Sequence, residues 1–332
     1  MFSLPTPVTK CLSALRRSGF AAHPVGGCVR DLLLGRTPGD WDITTAARPE
    51  TVMALFEKTV PTGLPHGTVT VLLDGMSLEV TTFRADVGYS DGRHPDAVVF
   101  GNTLEHDLAR RDFTVNAMAL AEDGGVIDPF GGQQDLAQRL IRAVGDPNLR
   151  FREDALRMLR AIRFAAQLDF SIEERTFAAL STLAENARHV SGERVKVEVE
   201  KTLLSPRPET AFLFLSTGLL PSGSVPPDCA AAFRGVPPEP GARWRAFCRA
   251  GGFDITTLPI ERKLRAAVLH PEREAVKTLA LKADRLMALG FRGPALGAAQ
   301  ETLARHILTY PEDNTPEALT RLAVRLLPPG EA

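Results

Sequence analysis

Segments with helical spacing and short apolar segments alternate along the first third of the chain. In the helical segments apolar side chains recur every three or four residues, and Gly35 follows one of them in the position of a C-terminal capping glycine. Two of the apolar segments flank Asp74-Gly75, a pair that favours a tight hairpin turn. The pattern predicts helices at 7–17, 28–34 and 51–59. It predicts strands at 41–45, 68–73 and 77–83.

The pattern changes further along the chain. Residues 84–102 are rich in Gly, Asp, Pro and Arg and show little periodicity, which predicts a long loop. Residues 221–241 are rich in Pro and Gly and predict a second loop or a linker. After residue 141 the spacing is helical, with helices predicted at 154–168, 193–204 and 207–215 and again from 242 to 327. We therefore expect an α+β protein, in which a small α/β head precedes a helical remainder.

Amino-acid composition and charge exclude few classes of function. The 332 residues, 44% hydrophobic and 24% charged, suit a globular chain of two or three domains. The net charge is −1, so overall charge gives no argument for a nucleic-acid partner, and any basic surface must be local. The four cysteines are scattered without metal-ligand spacing, which favours a reduced compartment. We find no signal-peptide pattern and no apolar stretch of roughly 20 residues. We therefore expect a cytoplasmic protein with no membrane contact; the oligomeric state stays unknown.

The densest chemistry lies between residues 26 and 42. Gly26 and Gly27 open a predicted helix, whose free backbone N–H groups and dipole favour a phosphate, and Arg30 adds a charged donor one turn later. Asp40 and Asp42 lie two apart on a predicted strand, so their carboxylates point to the same face. Two such carboxylates, with phosphate oxygens and water, suit Mg²⁺. Either feature alone is typical of an ordinary turn or a solvated strand. Together they predict two-metal nucleotidyl transfer.

Further polar residues extend this site. Glu79 lies in the second strand of the predicted hairpin, where it is either a third catalytic carboxylate or simply a solvent-facing residue. Arg111 is a candidate for phosphate binding. Asp112 and Asn116 follow at helical spacing and are candidates for binding the ribose, although each is also compatible with a surface ion pair.

A third cluster lies in the predicted helix 154–168. Asp154, Arg157 and Arg160 recur every three residues, which places them on one helical face. Cytosine and adenine both offer an amino donor beside a ring-nitrogen acceptor, so a carboxylate with a guanidinium can read both bases and reject guanine and uracil. Asp154 with Arg157 is therefore a candidate protein template. The alternative is a salt-bridged, solvated helix face.

These motifs resemble the class II tRNA nucleotidyltransferases, the CCA-adding enzymes and their poly(A) polymerase relatives. The blocks that carry the resemblance are Gly-Gly-x-Val-Arg-Asp, Asp-x-Asp, Arg-Arg-Asp-Phe-Thr-x-Asn-Ala, Glu-Asp-x-x-Arg and Ser-Gly-Glu-Arg. They occur in this order between residues 19 and 204. The resemblance implies a polymerase-β-like catalytic head, a helical neck with the template helix, a helical body, and a tail that binds tRNA. The implied bounds are 1–140, 141–204, 205–280 and 281–332.

The resemblance also implies roles for single residues. Asp40 and Asp42 would hold Mg²⁺, and Gly27, Arg30 and Arg111 would contact the incoming triphosphate. The nucleotide would be bound by Asp154, Arg157, Arg160 and Arg163. The substrates would be CTP, ATP and the 3′ end of tRNA. Tyr89 to Pro95 resembles the loop that relatives need for adding the final A, which favours full CCA addition.

Several alternatives stay open. Within the family they are an A-adding or CC-adding enzyme and a poly(A) polymerase, because residues 220–271 are shorter than in typical members. A catalytically inactive RNA-binding protein is a further alternative, and the intact Asp40–Asp42 pair argues against it. A nucleotidyltransferase for small molecules is disfavoured by the long helical remainder.

Overall fold

The amino-terminal part of the chain is built on a five-stranded sheet. We describe a computed structural model, which covers residues 2–87, 97–100 and 103–327, with the backbone only for 85–87 and 97–99. The strands are β1 (Ala22–Pro24), β2 (Trp41–Thr45), β3 (Thr59–Gly63), β4 (Thr68–Leu73) and β5 (Met76–Thr82). Their order in the sheet is β1-β2-β5-β4-β3, with β2 and β5 parallel and the other neighbours antiparallel.

Alternation along the strands separates an apolar face of this sheet from a polar one. Three helices pack with the sheet: α1 (Thr6–Arg17), α2 (Gly27–Leu33) and α3 (Pro49–Leu55). Trp41 and Ile43 of β2 and Leu78 and Val80 of β5 are buried in the core that these helices share. The residues between them in the sequence therefore face the opposite side, where Asp42 is paired in register with Glu79.

Short elements complete the head. They are β6 (Arg84–Val87), β7 (Ala97–Phe100), α4 (Leu104–Ala109), β8 (Ala119–Leu120), β9 (Val126–Ile127) and α5 (Gly132–Gln138). β6 and β7 pair antiparallel, so the prediction of an unstructured loop over 84–102 is wrong at both ends. Its centre, with the motif Tyr89 to Pro95, lies outside the described residues. A 3-10 helix, Thr114–Asn116, carries part of the site described below.

Helices dominate after residue 141. A two-residue parallel pair, β10 (Leu140–Ile141) with β11 (Ser171–Ile172), joins the first of them to the head. The helices are α6 (Pro147–Glu153), α7 (Leu156–Leu168), α8 (Glu174–Leu183), α9 (Gly192–Leu203), α10 (Leu213–Ser216), α11 (Pro240–Gly251), α12 (Arg262–Leu269), α13 (Pro271–Thr278), α14 (Ala283–Ala288), α15 (Gly293–Thr309) and α16 (Pro316–Arg325). Further 3-10 helices are Leu64–His66, Ala184–His189, Pro208–Phe212, Ala231–Phe233, Ile255–Thr257 and Pro311–Asp313.

The predicted α+β class is confirmed, and most predicted elements agree with the structure to within a few residues. One helix ends early: α3 stops at Leu55 because Phe56 is extended, and Thr59 already belongs to β3. The predicted helix 207–215 is a 3-10 helix followed by the short α10. The predicted loop 221–241 is mostly irregular but contains Phe233, which is buried in the core.

Two hydrophobic clusters organise the fold. The first runs from Val8 to Val268 and joins the sheet, its helices and the helices up to α12. The second, from Ala275 to Ala323, is formed by α13 to α16 and the residues between them. These clusters do not test the four domain bounds that the resemblance implies, so those bounds stay a prediction. Within the described residues, every helix is too short or too polar to cross a bilayer.

Candidate active site

The carboxylates lie on the polar face of the sheet. Asp42 and Glu79 are direct neighbours across the parallel pair β2 and β5. Asp40 precedes β2 and is exposed, yet its charge still acts on Asp42. Burial raises the pKa of Asp42 to about 6; Arg111 opposes this effect, and the nearby Glu79 and Asp40 charges add to it. A cation beside Asp42 would relieve the repulsion that Asp40 and Glu79 exert on it.

A small cavity of about 230 Å³ adjoins this carboxylate face. Asp42 and Glu79 line it together with the basic side chains of Arg84, Arg110 and Arg111. The lining of the cavity therefore combines two carboxylates with three guanidinium groups. This combination suits a ligand that carries both a cation and phosphates.

A glycine turn brings the backbone close to this cavity. Gly26 has φ of +79°, the left-handed region that favours glycine, and its N–H donates to the Met118 carbonyl at 3.0 Å. A Cβ at Gly26 would lie 2.8 Å from Nη1 of Arg111 and 3.8 Å from Oδ2 of Asp42. A side chain at Gly26 would therefore displace the Arg111 guanidinium from beside the carboxylate, and the positive φ would strain most other residues. α2 begins at the next residue, Gly27, as predicted.

A hydrogen-bonded chain joins the predicted nucleotide-binding residues of the head to α7. Arg30 donates to Asn116 Oδ1 at 2.7 Å, and Asn116 Nδ2 donates to Asp112 Oδ1 at 3.3 Å. Arg160 donates through Nε to Asp112 Oδ2 at 2.7 Å. Burial opposes ionisation of Asp112, but the charges of Arg160 and Arg157 and the hydrogen bonds from Arg160 and Asn116 together outweigh it and lower the pKa of Asp112 to about 2. The structure thus brings together four of the predicted residues, which lie in three separate segments of the sequence.

Asp154 and Arg157 do not pair with each other. The predicted helix 154–168 begins only at Leu156, because Asp154 is extended and its Oδ1 accepts the Leu156 N–H at 3.0 Å, as an N-terminal cap does. Asp154 therefore does not share a helical face with Arg157, and that part of the sequence prediction is wrong. Oδ2 of Asp154 instead accepts from Arg194 at 3.2 Å.

The partners of Arg157 lie elsewhere. Its Nη1 donates to Glu153 Oε2 at 2.6 Å, and its Nη2 donates to the backbone carbonyl of Arg110 at 2.9 Å. The guanidinium is therefore fixed in a position set jointly by α6 and the head. A fixed donor is what base recognition requires, because a mobile one would adapt to any base.

Arg163 has a buried environment. Its Nε donates to Glu198 Oε2 of α9 at 2.5 Å, and its guanidinium lies 4.0 Å from the centre of the Phe164 ring. Arg30 and Arg160 also lie over this ring, at 5.4 and 5.1 Å. Phe164 thus holds three guanidinium groups near one another through cation–π contacts. Direct nucleotide contact by Arg163 stays a prediction.

Sequence reasoning missed five residues that position these groups: Asp107, Arg110, Glu153, Arg194 and Glu198. Asp107 precedes Arg110 and Arg111 by three and four residues, a helical spacing that signals ion pairs. Glu153 was visible beside Asp154 in the sequence. Nothing local signals that Glu198 pairs with Arg163, since the contact joins two separate helices.

No ready-made metal centre exists among the described residues, since no group of three His, Cys, Asp or Glu side chains is arranged to hold an ion alone. Mg²⁺ commonly takes one or two carboxylates and completes its shell with phosphate oxygens and water. Asp40 and Asp42, beside Glu79, fit this kind of partial protein ligand set.

Comparison with known proteins identifies the class. A family model described as poly A polymerase head domain matches residues 22–142. A second, described as probable RNA and SrmB-binding site of polymerase A, matches residues 169–221. The fold, the carboxylate face and these matches place the chain among proteins of the poly(A) polymerase type.

The relatives narrow the class to one family. The CCA-adding enzyme of Geobacillus thermodenitrificans is 53% identical over 206 residues, which cover 62% of this chain and 51% of that enzyme. The crystal structure of the Bacillus stearothermophilus CCA-adding enzyme with CTP is 34% identical, with a TM-score of 0.71 over 98% of this chain and 80% of that one. A CCA-adding enzyme in complex with ATP is 26% identical, with a TM-score of 0.63 over 99% of this chain and 80% of that one.

The chain belongs to the CCA-adding enzyme family, which confirms the resemblance found in the sequence. It spans about half the length of the Geobacillus enzyme that it matches.

Proposed function

We propose that this chain adds C and A to the 3′ end of tRNA from CTP and ATP, without a nucleic-acid template. The observation that carries the proposal is the register of β2 and β5, which puts Asp42 beside Glu79 in a cavity that Arg111 also lines. Structural relatives with CTP and with ATP support the choice of nucleotides. We expect the reaction to occur in the cytoplasm.

Different residues of the site would bind the metal and the triphosphate. Asp40 and Asp42, with Glu79 nearby, would hold Mg²⁺, which supplies activation of the 3′-hydroxyl and stabilisation of the leaving pyrophosphate. Arg111 and the backbone at Gly27 bind and orient the triphosphate. The tRNA 3′-oxygen then bonds to the α-phosphorus as the bond to pyrophosphate breaks, and the hydroxyl proton passes to solvent water.

Base selection is assigned to the other side of the site. Arg30, Asn116, Asp112 and Arg160 form a continuous polar surface between the triphosphate region and α7. Asp112 and Asn116 would bind the ribose from this surface. Asp154 and Arg157, held separately by Arg194 and Glu153, would each present one hydrogen-bonding group to the base.

The test uses tRNA transcripts that end at the discriminator base, at C and at CC, each incubated with CTP, ATP or both. Full CCA addition predicts C on the first two transcripts and A only on the third. Addition of A alone, or of CC alone, would replace the proposal with a partial activity, and long A tracts would indicate a poly(A) polymerase. No addition to any transcript would leave only an RNA-binding role.

A matched pair of variants ties the activity to the site. Asp42→Asn should lower the rate of every addition by at least a thousandfold, because it removes a charge from the metal site while preserving shape. Asp74→Asn should leave the rate unchanged, since Asp74 lies in the hairpin turn of the same sheet and pairs only with exposed Lys10 among the described residues. Equal activity of the two variants would refute the assignment.

A further inference from the structure

The turn at the end of α4 is held by one buried carboxylate. Asp107 has no exposed surface, and its oxygens accept hydrogen bonds from several side chains. Oδ1 accepts from Nε and Nη2 of Arg110, at 2.9 and 2.7 Å. Oδ2 accepts from Nη2 of Arg111 at 3.3 Å and from Oγ1 of Thr44 at 3.1 Å. Asp107 thus fixes two consecutive arginines against β2.

The side chains of these two arginines line the cavity of the candidate active site. Arg110 and Arg111 line it together with Asp42 and Glu79. Nε of Arg111 is buried and has no hydrogen-bond partner among the described residues, so this arginine retains a donor for a ligand. Two guanidinium groups held by one carboxylate leave a net charge of one on this part of the cavity, which suits a phosphate.

Backbone carbonyls of the same turn accept hydrogen bonds from two arginines of the neck. The carbonyl of Ala109 accepts from Nη1 of Arg150 at 3.0 Å. The carbonyl of Arg110 accepts from Nη2 of Arg157 at 2.9 Å. A shift of this turn therefore moves the Arg110 side chain in the cavity and the Arg157 guanidinium at the base-selecting position together.

We propose that Asp107 is a positioning residue that sets the two cavity arginines for the triphosphate and, through the backbone of the same turn, sets Arg157 for base selection. The inference rests on the proposed function. A carboxylate is required at this place because an amide has only one acceptor oxygen and would turn its NH₂ group toward a guanidinium. Without the negative charge, the adjacent arginines also repel each other and separate.

The test compares Asp107→Asn with Glu173→Gln. Glu173 is a suitable control because it also accepts from a threonine hydroxyl and an arginine, Thr176 and Arg142, but does not line the cavity. Binding of pyrophosphate and of CTP is measured by calorimetry with Mg²⁺ present. Incorporation of CTP and UTP on tRNA is measured beside it, together with chemical denaturation.

We expect Asp107→Asn to weaken pyrophosphate binding about tenfold, equivalent to about 1.4 kcal/mol. The KM for CTP should rise by a similar factor, and the preference for CTP over UTP should fall several-fold. Glu173→Gln should lower stability without changing any of these three values. If Asp107 has a purely structural role, Asp107→Asn should lose stability but keep all three values, as Glu173→Gln does. That result would overturn the inference.

Thr44→Val covers the case in which Asp107→Asn does not fold. It removes one hydrogen bond from Asp107 and leaves both ion pairs, so the same shifts should appear at two- to threefold. Unchanged pyrophosphate binding in a folded Thr44→Val variant would also count against the inference. A parent chain that binds neither CTP nor pyrophosphate overturns the proposed function and this inference with it. A parent that binds both while Asp107→Asn binds equally well overturns the inference alone.

Discussion

Replacing Asp154 with asparagine separates base selection from helix capping. In the structure Oδ1 of Asp154 caps the first turn of α7 at Leu156, and Oδ2 accepts from Arg194. Asparagine keeps the capping oxygen, since it caps helices as well as aspartate does. It replaces the second oxygen with an NH₂ donor. Cytosine and adenine present an amino donor at this edge, whereas uracil and guanine present an oxygen, so the substitution should favour the wrong bases.

Asp154→Asn should change base preference strongly and stability only slightly. Loss of one charge-assisted hydrogen bond costs about 1.5–3 kcal/mol, so the preference for CTP over UTP should fall by roughly one to two orders of magnitude. Stability should change little, because the cap is retained. The contact to Arg194 joins partly buried side chains that are 20% and 27% exposed, so its loss should cost about 1 kcal/mol, the upper end of the range for exposed pairs.

The assay measures kcat/KM for all four nucleotides on tRNA ending at C and at CC, beside chemical denaturation. Asp154→Ala is the companion variant: it also loses the cap, so it should be less stable than Asp154→Asn by about 1 kcal/mol. If Asp154→Asn selects CTP over UTP as strongly as the parent does, Asp154 only supports the helix. A variant that is destabilised yet discriminates normally would refute base reading in the same way.

Three further predictions concern other parts of the chain. Asp112→Asn should lower stability at pH 7 by about 2 kcal/mol, because the pKa of Asp112 falls from its usual 3.8 to about 2. Since this contribution is present above pH 4 and is lost as pH falls through 2, the parent and the variant should converge in denaturation measured at acid pH. Deleting residues 91–95 should slow A addition more than C addition; equal loss would indicate a structural loop. Removing residues 271–332, which takes away the second hydrophobic cluster whole, should raise the KM for tRNA without changing the ratio of CTP to ATP use, because phosphate contacts carry no base identity.

The head was predictable where local rules act alone. β2 and β4 have the predicted bounds, because β-branched residues alternate there and Asp74-Gly75 marks the turn into β5. The pairing of Asp42 with Glu79 was not predictable from alternation. It depends on β2 and β5 lying side by side in parallel, which follows from the order of the whole sheet.

The neck shows why the rest of the site was not predictable. Apolar spacing continues through residues 154–156, so a sequence pattern cannot reveal that the side chain of Asp154 ends one helix and caps the next. The real partner of Arg157 was adjacent to the predicted one, at Glu153. Helical spacing predicts which residues share a face. Which of two neighbouring carboxylates pairs with an arginine depends on the backbone geometry, which only the fold supplies.

The contacts between neck and head connect the residues proposed for base selection to the carboxylate side of the site. Arg157 and Arg150 bind the carbonyls at the end of α4, and Arg160 binds Asp112 a few residues later. These three neck arginines therefore all contact one short segment of the head, residues 109–112, and Glu153 of α6 holds two of them from the other side. This segment follows the hairpin of β6 and β7 closely, and α4 packs against β6. A change at that hairpin can therefore reach these neck arginines through α4, and it reaches Arg110 and Arg111 in the cavity at the same time, because Asp107 of α4 holds both.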